Sequence, residues 1–137
     1  MSIRAVVLVA CALTISAAAQ SGAAAKPAAN LARGKYLVNN VGMCGDCHTP
    51  MDKKGKPIKA QDLQGAPLMF KPTVEIPSWI PVAPGIAGLN WTDEQAIEFF
   101  TTGKRPNGTM AAPPMPQLRL SKSDAAAVTA YLKSLKP

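Results

Sequence analysis

Aromatic residues are scarce in this chain. Tyr36, Phe70, Trp79, Trp91, Phe99, Phe100 and Tyr131 make up 5% of its 137 residues. Large aromatic side chains usually supply much of a core's apolar area. A domain with so few of them needs another apolar body to fill its centre. Histidine is scarcer still: His48 stands alone, which excludes any site built on two imidazoles of this chain. Acidic residues number eight against fifteen Lys and Arg, a net charge of +7. Long apolar stretches are also missing; the run from Ala5 to Ile15 is too short to cross a bilayer comfortably. Thirteen prolines and ten glycines interrupt regular structure too often for a long-helix bundle or a many-stranded sandwich. The length suits one domain and excludes a two-domain enzyme, and no internal repeat is present.

The first residues read as an address. Met1–Arg4 is a short basic start, Ala5–Ile15 is apolar, and Ala17-Ala18-Ala19 supplies small residues for cleavage. That is the pattern of a secretory signal at residues 1–19, implying export to the periplasm. Two alternatives stand beside it: an uncleaved membrane anchor, and lipidation of Cys11 in Leu8-Val9-Ala10-Cys11. Against lipidation, only six apolar residues precede Cys11 and the apolar run continues past it. Cleavage after residue 19 of 137 leaves 118, and losing Arg4 lowers the net charge to +6. Residues 20–29 carry no large apolar side chain and read as a flexible leader, so the folded domain is expected over 30–137. No aromatic platform or recognition-helix pattern accompanies the basic residues, which argues against nucleic acid. An acidic protein surface is the better-matched partner.

The chemistry concentrates in Cys44-Gly45-Asp46-Cys47-His48. C-x-x-C-H is the signature of covalent c-type haem attachment. On a helical turn, positions i, i+3 and i+4 share a face, so Cys44, Cys47 and His48 can meet one planar cofactor together. The thiols would form thioethers, and the imidazole would ligate the iron from the proximal side. Other readings are less complete. A structural zinc site needs four ligands, and without Cys11 the chain offers three. A Cys44–Cys47 disulfide suits an oxidising compartment, but a thioredoxin-like redox pair wants a βαβ setting that the sequence lacks.

Methionine is the usual partner on the distal face, where its soft thioether favours ferrous iron. Met43 and Met51 lie too close to the attachment turn to cross to that face. Met69 is expected to fill a gap in the core. Met110 and Met115 remain, in a segment stiffened by Pro113, Pro114 and Pro116. A rigid loop can hold a weak ligand with little entropic loss, and Met115, flanked by prolines, is preferred.

Three helices are predicted. Asn30 is expected to cap the first, running to about Val41 with Leu31, Leu37, Val38 and Val41 on its apolar side. Thr92 and Gln95 form a capping box for the second, which Gly103 ends. Ser121 and Asp124 read as an S-x-x-D box for the third, whose stripe is Val128, Tyr131, Leu132 and Leu135. Residues 50–90 carry seven prolines and no alternating strand. So long a loop is unusual unless it lies along a cofactor that serves as the missing core.

These features resemble a class I c-type cytochrome. Arg33-Gly34-Lys35-Tyr36-Leu37 is similar to that family's first helix. Ala126–Lys133 is similar to its last, and Met115-Pro116 to Ser121 resembles its distal methionine loop. The resemblance implies an all-α cytochrome c fold wrapped around one haem, with Gly34 and Tyr131 at the crossing of the first and last helices. The family tends to carry Asn-Leu after a middle-loop proline; here Pro84 is followed by Gly85-Ile86. Cys47-His48-Thr49-Pro50 is also similar to cytochrome subunits of periplasmic dehydrogenases. With His48 and Met115 filling both axial positions, the implied role is one-electron carriage rather than catalysis, with Lys53, Lys54, Lys56 and Lys59 near the haem edge steering an acidic partner. Service as a subunit of a dehydrogenase complex is the alternative. A haem enzyme or gas sensor with an open sixth position is the more distant one.

Overall fold

The computed structural model describes residues 27–137. The expected signal peptide and all but the last three residues of the expected leader lie outside that range. Among the described residues four α-helices occur in chain order: α1 (Pro27–Tyr36), α2 (Gly45–His48), α3 (Asp93–Thr102) and α4 (Lys122–Ser134). One two-stranded antiparallel ladder joins β1 (Ala66–Pro67) to β2 (Val82–Ala83). Among the described residues, no helix is long and apolar enough to cross a membrane.

α1 packs chiefly on α4, and glycine makes the crossing possible. A Cβ built on Gly34 would lie 2.0 Å from the Ala127 carbonyl oxygen and 2.7 Å from Tyr131 Cβ. The bidentate pair of Arg33 with Asp124, at 2.9 and 3.2 Å, ties the same two helices at the surface. α3 joins them through an ion pair between Lys133 and Asp93. Around these contacts Leu37, Val38, Leu63, Ala96, Phe100, Ala125, Val128 and Leu132 form the core.

The helix ends follow local chemistry. Thr92 Oγ1 accepts from the Gln95 N–H at 3.2 Å and Gln95 Oε1 accepts from the Thr92 N–H at 3.1 Å, the expected capping box. Gly103, at φ 82°, closes α3 by donating to the Phe99 carbonyl. Ser121 caps α4 by accepting from the Asp124 N–H at 3.1 Å. The Asp124 carboxylate does not complete a box, because Arg33 occupies it.

Three expectations are corrected. Asn30 lies inside α1 and does not cap it, since the helix already runs from Pro27, within the stretch read as leader. The apolar side of the first helix is also split: Leu37 and Val38 are buried, while Leu31 is 38% and Val41 53% exposed. For Val41 the cause is a π turn over Leu37–Val41, closed by Gly42 N–H donating to the Leu37 carbonyl at 2.7 Å. That wider turn rotates Val41 away from the face that Leu37 holds. Met69, finally, fills no core gap; it is 71% exposed on the outer side of the 50–90 segment. That segment is otherwise loop, as expected, with a short 3₁₀ turn at Lys59–Gln61 and the β1–β2 ladder.

Candidate cofactor site

The π turn delivers the attachment motif. Met43 follows it in the left-handed region at φ 45°, and Cys44 N–H donates to the Val38 carbonyl at 2.9 Å. α2 then places Cys44, Cys47 and His48 on one wall of a cleft of about 950 Å³. Gly42 leaves room for the first sulfur, since a Cβ there would sit 3.2 Å from Cys44 Sγ. Burial pushes the free Cys44 thiol up, so in the unmodified chain it is held as the thiol.

His48 is buried, 7% exposed, with Nδ1 2.7 Å from the Pro84 carbonyl oxygen. A carbonyl can only accept, so Nδ1 carries the proton and Nε2 keeps its lone pair for a metal. Burial pulls the imidazole below its usual range, with the Pro84 contact working against it; the neutral, ligating form is the one favoured. The β1–β2 ladder fixes Pro84. Ala66 pairs with Ala83, and Gly65 N–H donates to the His48 carbonyl at 2.7 Å. Gly65 sits at φ 92°, and a Cβ on it would lie 2.6 Å from the Gly85 nitrogen, so only glycine lets the two chain segments close behind the imidazole.

Thr49 completes the support. Its buried hydroxyl donates to Asp62 at 2.8 Å and accepts from the Leu63 N–H at 2.9 Å. Leu63, fully buried, accepts in turn from the Ile86 and Ala87 N–H groups at 2.8 and 3.0 Å. Gly85-Ile86, which stand where the resembled family carries Asn-Leu, therefore line the cleft with the backbone of Ile86 hydrogen-bonded.

Met115 lines the same cleft, between Pro114 and Pro116. Its loop is anchored by backbone bonds from Ala111 to Gly103 at 2.8 Å, Ile80 to Pro113 at 2.9 Å, and Leu120 to Phe100 at 3.0 Å. Met110, Met69 and Met51 are not on this wall; Met43 is, beside Cys44. Leu68, Ile80, Val82, Trp91, Phe99 and Leu118 supply apolar surface around these groups, and Trp91 packs edge-to-face on Phe99 with centroids 5.2 Å apart. The four loop lysines, Lys53, Lys54, Lys56 and Lys59, are exposed, and none lines the cleft. Arg105 does.

The residues fit a haem c. Two thiols share a wall with an imidazole whose outer nitrogen is free, a thioether lines the same space, and the rest is mainly apolar. The cleft lies at the upper end of the ~300–1,000 Å³ common for cofactor sites. Residues 31–136 match the cytochrome c family. The chain belongs to that family. With membership come covalently bound haem c and electron transfer as the family's chemistry.

This cytochrome c domain is similar to the fructose dehydrogenase cytochrome subunit of Gluconobacter japonicus, with 30% identity over 75% of the chain and 21% of that protein. It is similar to a diheme cytochrome c-type protein of Cereibacter sphaeroides, with 34% identity over 74% of the chain and 34% of that protein. It is similar as well to the cytochrome c subunit of the quinone alcohol dehydrogenase of Gluconobacter oxydans, with 35% identity over 54% of the chain and 16% of that protein. The chain thus spans about a third or less of these relatives' lengths.

Sequence reasoning missed the acceptor role of Pro84, the Thr49–Asp62–Leu63 clasp, and Arg105. Only Pro84 carried a signal, as the proline of the resembled middle loop.

Proposed function

We propose that this chain is a single-haem, one-electron carrier working between exported redox proteins. Cys44 and Cys47 would hold the haem through thioethers, and His48 and Met115 would ligate its iron. When bound, the haem supplies an iron that cycles between ferrous and ferric states. The chain's part is to exclude water, fix both ligands and leave no open coordination position, so no substrate chemistry is assigned. What carries this reading is that a C-x-x-C-H motif and a proline-flanked methionine line one cleft, with the imidazole proton committed to Pro84.

The test is the mass and the spectrum of exported protein. Intact mass should show one tetrapyrrole added, and the reduced protein should be low-spin. Met115→Ala should lose low-spin character and bind carbon monoxide readily, while Met110→Ala should keep the parent spectrum. Bare thiols or a simple disulfide would refute haem attachment. Loss of low-spin character in Met110→Ala alone would move the distal ligand.

The net charge, +7 for the full sequence and +6 without residues 1–19, supports an acidic surface on the partner, and a transfer rate independent of ionic strength would remove that element. A second reading, electron acceptor within a dehydrogenase complex, is favoured by the relatives named as dehydrogenase cytochrome subunits. Co-purification with a flavin- or quinone-dependent dehydrogenase would support it over a free shuttle.

A further inference from the structure

The clasp around Thr49 lies behind the cleft: Thr49, Asp62 and Leu63 are not among the residues that line it. Thr49 is 2% exposed, and its hydroxyl is used in both directions inside the fold. The Leu63 N–H can only donate, so the hydroxyl accepts there at 2.9 Å and its own proton goes to Asp62 Oδ1 at 2.8 Å. Packing alone does not call for a hydroxyl here, since valine has the same shape. The clasp reaches His48 by three routes. The Leu63 carbonyl accepts from the Ile86 and Ala87 N–H groups at 2.8 and 3.0 Å, which pins the chain just beyond Pro84. Gly65, further along the same segment, donates its N–H to the His48 carbonyl at 2.7 Å. The back of α2 also rests on the clasp, because a Cβ on Gly45 would lie 3.4 Å from Thr49 Oγ1 and 3.8 Å from Asp62 Oδ1.

We propose that Thr49 is a positioning residue for the ligating imidazole: braced by Asp62, it fixes through Leu63 the segment that presents the Pro84 carbonyl to His48 Nδ1, and so sets the strength of that hydrogen bond and with it the reduction potential. The inference rests on the haem reading above. A hydrogen bond from Nδ1 to a carbonyl makes the imidazole a stronger ligand, which favours the more highly charged ferric iron. Without the Thr49 hydroxyl, the Leu63 N–H is buried with no acceptor, and the segment has to shift to satisfy it. The contact at Pro84 then loosens, and the equilibrium moves toward ferrous.

The experiment takes the isolated, exported protein and measures its potential at fixed pH and, by nuclear magnetic resonance of the ferrous form, the solvent exchange of the His48 Nδ1 proton. Thr49→Val should move the equilibrium toward ferrous by about threefold to tenfold, where tenfold corresponds to 59 mV for one electron. Its Nδ1 proton should exchange faster, while the attached mass and low-spin spectrum stay unchanged. Thr49→Ser keeps the hydroxyl and should return both readouts to the parent values. Asp62→Ala, at an exposed position, removes only the brace and should shift both readouts the same way by less; it decides the matter if Thr49→Val does not fold. Thr129→Val is the control. It deletes another buried hydroxyl, one that donates within its own helix to the Ala125 carbonyl at 2.8 Å, and should leave both readouts unmoved. An unmoved or lowered potential, or unchanged exchange, in Thr49→Val overturns the inference and leaves the haem reading intact. So do parent values in Asp62→Ala, a Thr49→Ser that behaves as Thr49→Val, or an equal shift in Thr129→Val. Absence of an attached tetrapyrrole overturns both.

Discussion

Asp124 acts through two separate groups. Its N–H donates to Ser121 Oγ and starts α4, while its carboxylate accepts both forks of Arg33. The hydrogen bond from Arg33, ahead of any burial effect, holds this carboxyl below its ordinary value of 3.8. A depressed folded value means that the contribution is fully present above the unfolded value and disappears as pH falls through the folded one. Asp124→Asn should therefore lower the melting temperature only slightly at pH 7, as expected for a surface pair. The gap to the parent should narrow as pH falls through the ordinary carboxylate range and close once it has passed below the depressed folded value. Thermal melts across that range check it, and a gap that widens in acid would be the wrong sign. The pair was not legible in the sequence, because the spacing of Ser121 and Asp124 describes a local box as well as it describes a long-range partner. Cys44, Cys47 and His48 were legible because their geometry is set within a single turn. Choosing Met115 over Met110 rested on proline stiffening alone, since the contacts that anchor the loop come from Gly103, Phe100 and Ile80.

The crossing of α1 with α4 rests on a missing methyl group. Gly34→Ala would put a carbon 2.0 Å from the Ala127 carbonyl oxygen, a backbone atom that cannot rotate aside, so the helices would have to part. Overpacking of this kind costs about 1–3 kcal/mol and occasionally more. A loss near the top of that range should lower the melting temperature by roughly 10 °C in a domain of this size. A circular-dichroism melt decides it, and an unchanged midpoint would show that the helices do not approach through Gly34. At this scale the sequence was most informative where an end is decided by a few neighbouring residues, as at Thr92, Gln95, Gly103 and Ser121. It was least informative where a helix changes form. The eleven residues 31–41 carry apolar spacing that reads as one continuous helix, and the i→i+5 bond that turns Val41 outward leaves no mark in that spacing. Met69 misled for a related reason: an apolar residue in a proline-rich loop gives no hint which side of the loop will face the cleft.

Across the described residues the apolar side chains close only partly on one another. Of the eleven buried hydrophobic residues among those described, five are alanines, and Phe100 is the single buried aromatic among them. Larger side chains stand around the cleft instead, with Ile80 37% and Val82 53% exposed. Full burial of such a side chain contributes about 1.5–3 kcal/mol. Covering the half-exposed wall of Leu68, Ile80, Val82, Trp91, Phe99 and Leu118 with an apolar plate would add on the order of 5 kcal/mol. That is comparable to the whole ~5–15 kcal/mol stability of an ordinary domain. The scarcity of aromatics in the sequence and the width of the cleft thus have one cause, a core designed around a body the chain does not encode. Cys44→Ser/Cys47→Ser, which cannot form thioethers, should accordingly keep the α1–α4 contact but lose cooperativity. Its denaturant transition should broaden, its m-value should fall, and it should bind a hydrophobic dye that the exported parent does not. A transition as steep as the parent's would mean that the polypeptide completes its own core, and that the cleft walls are stable without anything against them.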